Sequence, residues 1–163
     1  MVGENIAFGV LALVMGVSAL RMVTAKNVVH AALYLVLVLA GVAGIFILLA
    51  AEFLAIVQIL VYIGAIVVLF LFGIMLTRAP IGRAPDLDND QRGVAAVVAL
   101  FLFGVLGSIL YDGFGDDKLP VGEVVRSGDV GDSIFSTFVV PFEAISVLLL
   151  AALVGAVVIA RRD

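Results

Sequence analysis

The chain has 163 residues, of which 64% are hydrophobic and 13% are charged, and its net charge is −4. A soluble domain is usually about 45–50% apolar and about 25% charged, so this composition excludes a disordered chain and argues against a soluble enzyme. The chain contains no cysteine and one histidine, which excludes disulfides, iron–sulfur clusters and thiolate zinc sites on it.

Charged residues divide the chain into five apolar stretches, and each is long enough to cross a ~30 Å hydrocarbon core once. The stretches occupy residues 5–23, 28–50, 53–77, 93–111 and 138–160. Residues 28–77 are almost unbroken, but a helix of that length would measure about 75 Å, so a tight hairpin is predicted at Ala51 and Glu52. The first stretch begins with Glu4 and not with positive charge, which favours a retained helix over a signal peptide.

These stretches predict an all-α membrane protein with five transmembrane helices, in which residues 1–163 form a single polytopic domain. With the N-terminus outside, seven of the nine Lys and Arg residues lie in cytoplasmic segments, and only Lys118 and Arg126 lie outside. The positive-inside rule therefore predicts an outside N-terminus and a cytoplasmic C-terminus. Residues 112–137 then form an outer loop, which is too short to hold a domain.

Ionisable side chains in a bilayer are costly, so the few in these stretches are functional candidates by default. Glu143 follows Pro141, and proline is favoured at the first position of a helix. Glu143 is therefore either a functional acid or a helix-start acid that the helix dipole stabilises. Glu52 is most simply a charge in the hairpin turn, and His30 most simply an interfacial side chain.

Tyr62 and Gly64 lie near the middle of the third stretch. A tyrosine at that depth needs a hydrogen-bond partner. The glycine indicates either close helix packing or a local π-bulge, and the residues themselves leave both open.

Small residues recur four apart, which is typical of membrane helices that approach each other closely. The pairs are Ala40 and Gly44, Gly104 and Ser108, and Ala151 and Gly155. The sequence contains no nucleotide-binding loop, nucleophile–base set or redox-cofactor motif. These features indicate a five-helix subunit of a membrane assembly.

Three segments, residues 27–44, 51–70 and 141–150, resemble subunit J of the proton-pumping NADH–quinone oxidoreductase, respiratory complex I. The resemblance covers the first three predicted helices and the last one, in order. Its specific markers are Glu52, Tyr62, Gly64 and the Pro141-Phe142-Glu143 run.

The resemblance implies a membrane-arm subunit that is enzymatic only within the complex, with no catalytic centre, redox centre, metal or cofactor on this chain. The complex as a whole would use NADH, FMN, iron–sulfur clusters and quinone. The implied partners are the other membrane-arm subunits and the lipid bilayer, not nucleic acid. The implied location is the bacterial cell (inner) membrane, as a multi-pass protein.

In the family, the third helix has a π-bulge whose α/π interconversion is thought to link quinone chemistry to a hydrated proton path. Carried over, those positions are Tyr62 and Gly64, and Glu143 and Glu52 are the further conformational or proton-path candidates. Some members have an acid one turn before the tyrosine, where this chain has Gln58. Two other functions stay open, a small self-contained transporter or channel and a purely structural membrane scaffold.

Overall fold

The computed structural model describes residues 2–77, 91–115 and 125–161. Every regular element in these ranges is a helix, and five helices are long and apolar enough to cross a membrane. The helices are α1 (Val2–Thr24), α2 (Val28–Leu48), α3 (Glu52–Leu76), α4 (Arg92–Phe114), α5 (Ser127–Ser136) and α6 (Val139–Ala160). All but α5 are membrane-length, so the predicted all-α membrane architecture with five spans is confirmed.

Helices α1 and α2 pack closely because glycines line their contact. An ideal Cβ at Gly44 would lie 3.0 Å from Cδ2 of Leu11, and one at Gly41 would overlap Cγ of Met15 and lie 2.8 Å from its Sδ. Ala40, by contrast, is exposed. The contact therefore uses Gly41 and Gly44 instead of the predicted pair of Ala40 and Gly44.

Helix α2 is the centre of the packed part of the chain, because it contacts both α1 and α3. Its buried residues are Ala32, Gly41 and Ala43, and small side chains of this kind let helix backbones approach each other in a membrane. Asn27 caps the start of α2, where its Oδ1 accepts a hydrogen bond of 2.8 Å from the Val29 N–H. That bond satisfies one of the backbone donors that a helix N-terminus leaves unpaired.

A left-handed residue at the end of α2 reverses the chain into α3. Ala50 has a φ of 56°, its N–H donates to the Ile47 carbonyl at 3.0 Å, and the Ala51 N–H donates to the Phe46 carbonyl at 2.9 Å. The two bonds form a Schellman motif, in which glycine is the usual left-handed residue. Because α3 begins at Glu52, the predicted hairpin is confirmed.

Ala50→Gly is expected to stabilise the chain by up to about 1 kcal/mol. The left-handed region costs an L-residue about 1–2 kcal/mol, and the greater chain entropy of glycine offsets part of that gain. Ala51 has a φ of −94°, so Ala51→Gly relieves no strain and serves as the control, which we expect to destabilise. Thermal unfolding in detergent, followed by circular dichroism, measures both. A midpoint for Ala50→Gly below that of the wild type would contradict the expectation.

Residues 127–136 form the helix α5, although the sequence predicted a loop over 112–137. The Arg126 N–H donates to the Asp129 carboxylate at 3.1 Å, which fixes the first turn. Helix α5 packs against the first turns of α3 and against α6, and the Phe135 and Phe142 rings meet edge to face with centroids 5.0 Å apart. The helix is short and partly polar, so it has no apolar run of membrane length from which to predict it.

The contacts of α5 place the α2–α3 hairpin and the start of α6 at one end of the bundle, as five alternating spans require. We call this end the hairpin end. Which side of the membrane it faces stays a prediction from the Lys and Arg distribution. Four of the basic residues in that count, Arg78, Arg83, Lys118 and Arg162, lie outside the described residues.

Two spanning helices have little cover within the part of the chain that the structure describes. There, α4 contacts no other helix and α6 contacts only α5. An ideal Cβ at Gly104 or Gly155 would meet no described atom of another element within 4 Å, so the predicted small-residue pairs on α4 and α6 do not line a helix contact within the described residues. Lipid or other membrane helices must cover these surfaces, because water cannot.

Candidate functional site

The middle of α3 is a π-helix. The backbone of residues Gln58–Val67 has π-helical hydrogen bonding, which joins groups five residues apart. α-Helical segments precede it at Glu52–Val57 and follow it at Val68–Leu76. We call Gln58–Val67 the π segment. π-Helices are rare, occur mostly as single turns and are frequent at functional sites. The π geometry predicted at Tyr62 and Gly64 is confirmed, and it extends over ten residues instead of one bulged turn.

The π segment changes which residues of α3 face α2. Gln58 is buried, the next residue with low exposure is Ile63, five positions later, and Val67 follows it. An α-helix continuing from Gln58 would instead return to the same face at Tyr62 and Ala65. The π segment therefore turns Tyr62 away from α2, and its side chain is 47% exposed.

Gly64 gives room inside its own helix. An ideal Cβ at Gly64 would lie 3.4 Å from the Ile59 carbonyl oxygen, an ordinary van der Waals contact, and no described atom of another helix would lie within 4 Å. Ile59 is five residues earlier, the separation that π pairing joins. Close packing against another helix, the other explanation for this glycine, is not what its surroundings in the described residues show.

Gln58 is one of two buried polar side chains in the described residues, and it lies at the first position of the π segment. Its side chain is 6% exposed, and its Nε2 donates to the Leu39 carbonyl of α2 at 3.4 Å. Sequence reasoning identified Gln58 only as a departure from a family acid. An amide in an otherwise uncharged, apolar stretch was the signal that could have indicated a buried contact.

Glu52 and Glu143 both lie near the hairpin end of the bundle. Glu52 is the first residue of α3, and α5 joins that turn to α6, which carries Glu143. Both carboxylates are exposed within this chain. Tyr62 is ten residues after Glu52, about 15 Å along the helix and hence near the middle of a ~30 Å core.

The interpretation of Glu143 as a helix-start acid is wrong. Helix α6 begins at Val139 instead of at Pro141, and the Phe142 N–H already donates to the Phe138 carbonyl at 3.1 Å. Proline fits within the first turn because the donors there have no helical partner. Glu143 consequently lies in the second turn, beyond the reach of the terminal donors.

The described residues contain no group of three His, Asp or Glu side chains that could hold a metal ion. The described residues combine a π segment within a spanning helix, a buried amide at the first position of that segment and two carboxylates near one end of the bundle.

Comparison with known proteins identifies the family of this chain. Residues 18–159 match the family of NADH-ubiquinone/plastoquinone oxidoreductase chain 6. The F(420)H(2) dehydrogenase subunit J of Methanosarcina mazei is 42% identical, over 98% of this chain and 92% of its own length. NAD(P)H-quinone oxidoreductase subunit 6 of the Mesostigma viride chloroplast is 38% identical, over 90% and 78%. Chain 6 of the Nostoc NAD(P)H-quinone oxidoreductase is 37% identical, over 98% and 80%.

Proposed function

The chain belongs to the NADH-ubiquinone/plastoquinone oxidoreductase chain 6 family, and on that basis we propose that its third helix couples quinone reduction to proton translocation in a membrane-bound oxidoreductase. It is a multi-pass membrane subunit of such a complex. The similar chains are named for two electron donors, F(420)H(2) and NAD(P)H. The donor is therefore selected by other subunits, which also hold the FMN, the iron–sulfur clusters and the quinone.

The π segment at Gln58–Val67 is the observation that carries this proposal. Each extra residue that π pairing accommodates shifts the register of the following helix by about 100°. Conversion to α pairing would move Tyr62 towards α2 and turn Ile63 away from it. A helix with two registers of similar energy is a two-state element that distant chemistry can bias.

We assign Gly64 and Tyr62 different roles in this change. Gly64 has no Cβ, so its backbone can change conformation more freely than that of any other residue type. Tyr62 carries the hydroxyl that moves with the register, and a tyrosine in the bilayer needs a polar partner in each state. The proposed partner is water or a neighbouring subunit, because the Tyr62 side chain is turned away from α2 and is 47% exposed.

Glu52 and Glu143 are the proposed carboxylates of the proton path at the hairpin end. Each is exposed within this chain, so each requires water or a partner subunit around it in the membrane. The uncovered surfaces of α4 and α6 are the proposed contacts with other membrane-arm subunits. The proposed location is the energy-coupling membrane, in bacteria the inner membrane.

Deleting the chain tests the assignment. Membranes without it are expected to lose donor-dependent quinone reduction and the accompanying proton translocation, because the membrane arm does not assemble. Complementation with the wild-type chain should restore both. Assays with NADH and with reduced F420 identify the donor. Full coupled activity in membranes lacking the chain would refute the assignment.

Reconstitution tests the alternative of a self-contained transporter or channel. The purified chain in proton-tight vesicles is expected to conduct no more protons than empty vesicles. Proton conduction by the chain alone, lost in Tyr62→Phe, would instead favour the transporter.

A further inference from the structure

Gln58 is a buried amide at the point where the register of α3 begins to change. Ala55, three residues earlier, is 4% exposed, and Gln58 itself is 6% exposed. Up to Gln58, α3 faces α2 with ordinary α spacing, and after it the next low-exposure residue, Ile63, comes five positions later. The π segment therefore changes how α3 faces α2 only at residues after Gln58.

The side chain of Gln58 joins the two helices through the α2 backbone. Its Nε2 donates to the Leu39 carbonyl at 3.4 Å. A buried amide without a partner is costly in an apolar environment, so a movement that carries Gln58 away from Leu39 is opposed. A movement that begins after Gln58 leaves the hydrogen bond intact.

We propose that Gln58 is a positioning residue that holds the start of the π segment against α2 and so confines the register change to the residues after it. This inference rests on the proposed function of α3. Without the bond to Leu39, α3 would rotate as a whole, and Tyr62 would not move relative to the segment before it. The hydrogen bond between Gln58 and Leu39, which we call the anchor, therefore decides whether α3 rotates as a rigid body or changes register after residue 58.

An amide suits this role because it donates a hydrogen bond at every pH. A carboxylic acid at the same place donates to Leu39 only when protonated. A carboxylate has no hydrogen to donate to the Leu39 carbonyl oxygen, and its charge would be buried away from water. Both effects favour the protonated acid. Gln58→Glu therefore converts a permanent anchor into one that requires a proton.

Other titratable groups must be distinguished from the introduced acid. The titratable groups on the elements around Gln58 are His30 and Tyr34 on α2, Glu52 and Tyr62 on α3, and Asp129 and Asp132 on α5. Within the described residues, none forms a hydrogen bond with the Gln58 side chain, whose partner is Leu39. They are present in every variant, so a difference between variants reports on position 58.

The experiment measures protons translocated per electron by the assembled complex in membrane vesicles, from about pH 5.5 to about pH 8.5. Gln58→Leu should lower this ratio by roughly threefold or more at every pH, because it removes the interhelical bond. Gln58→Glu should stay near the wild type at the acidic end and fall towards Gln58→Leu at the alkaline end. Asn27→Asp is the matched amide-to-acid control, because aspartate also caps a helix, and it should follow the wild-type profile.

The outcomes separate this inference from the proposed function. Wild-type ratios for both Gln58 variants, with Gly64→Val impaired, would overturn the anchor and leave the role of α3 standing. Wild-type ratios for all three variants would overturn both. If Gln58→Leu does not assemble, Gln58→Glu alone tests the proposed role of Gln58. A pH profile of its proton-to-electron ratio parallel to that of Asn27→Asp would overturn that role.

Discussion

Gly64→Val is expected to lower the number of protons translocated per electron by roughly two- to tenfold in complexes that still assemble. A Cβ at this position would be in van der Waals contact with the Ile59 carbonyl oxygen, at 3.4 Å, and the two γ-carbons that valine adds beyond it leave few rotamers that avoid the π turn. An off-rotamer side chain costs about 0.5–1.5 kcal/mol. A cost of that size in the π geometry shifts the equilibrium of α3 towards α pairing by roughly two- to tenfold. Quinone reduction and proton uptake, measured in the same vesicles, give the ratio.

Gly73→Val is the matched control for this prediction. It makes the same change in the same helix, but in the α-helical segment, where an ideal Cβ meets no described atom of another helix within 4 Å. A normal ratio for Gly73→Val together with a reduced one for Gly64→Val assigns the effect to the π segment. Equal ratios in Gly64→Val, Gly73→Val and the wild type would show that Gly64 has no conformational role. An equal loss in both variants would point to added side-chain volume at a surface shared with a partner subunit.

Gly41→Val is expected to destabilise the α1–α2 pair by about 1–3 kcal/mol and to lower the amount of assembled complex several-fold. An ideal Cβ at Gly41 overlaps Cγ of Met15, and valine places two further carbons in the same contact. Methionine is flexible, but its Cγ lies close to the α1 backbone and has little room to move aside. Native gel electrophoresis of solubilised membranes measures the assembled fraction, and thermal unfolding measures the stability.

Two comparisons make the Gly41 prediction specific. At Gly16, on α1 next to Met15, an ideal Cβ meets no described atom of another helix within 4 Å, so Gly16→Val should assemble close to the wild-type level. Met15→Ala should partly rescue Gly41→Val, because it removes the carbons that the valine displaces, and a double-mutant cycle measures that coupling. Normal assembly of Gly41→Val, or no rescue by Met15→Ala, would contradict the close contact.

The two glycines therefore differ in what their substitution should disturb. Gly41 is needed for two helices to approach, so its loss should lower the amount of complex. In the proposed function Gly64 lets one helix change register, so its loss should lower the coupling of complexes that form. A structural scaffold, the remaining alternative function, would be sensitive at Gly41 and indifferent at Gly64.

Much of the membrane architecture could be predicted from single stretches of sequence. The transfer of apolar residues into a bilayer is nearly additive along a segment, so length and hydropathy locate a span without knowledge of its neighbours. The tight hairpin followed from the same length argument, and the π geometry at Tyr62 and Gly64 followed from the family resemblance. Helix α5 was missed because a ten-residue amphipathic helix at a membrane surface has no such length signal.

The contacts were decided by the tertiary structure, because a contact depends on the rotational phase of two helices and not on the composition of either. Every residue in an apolar span looks equally suited to face lipid or protein, so the sequence could not distinguish Ala40 from Gly41, nor reveal that Gln58 faces Leu39. A π segment adds to this difficulty by shifting the phase within a helix. What the sequence determined by itself is the number of spans and the family. Only the structure decided which glycines let α1 and α2 approach each other, and at which residue of α3 the π segment begins.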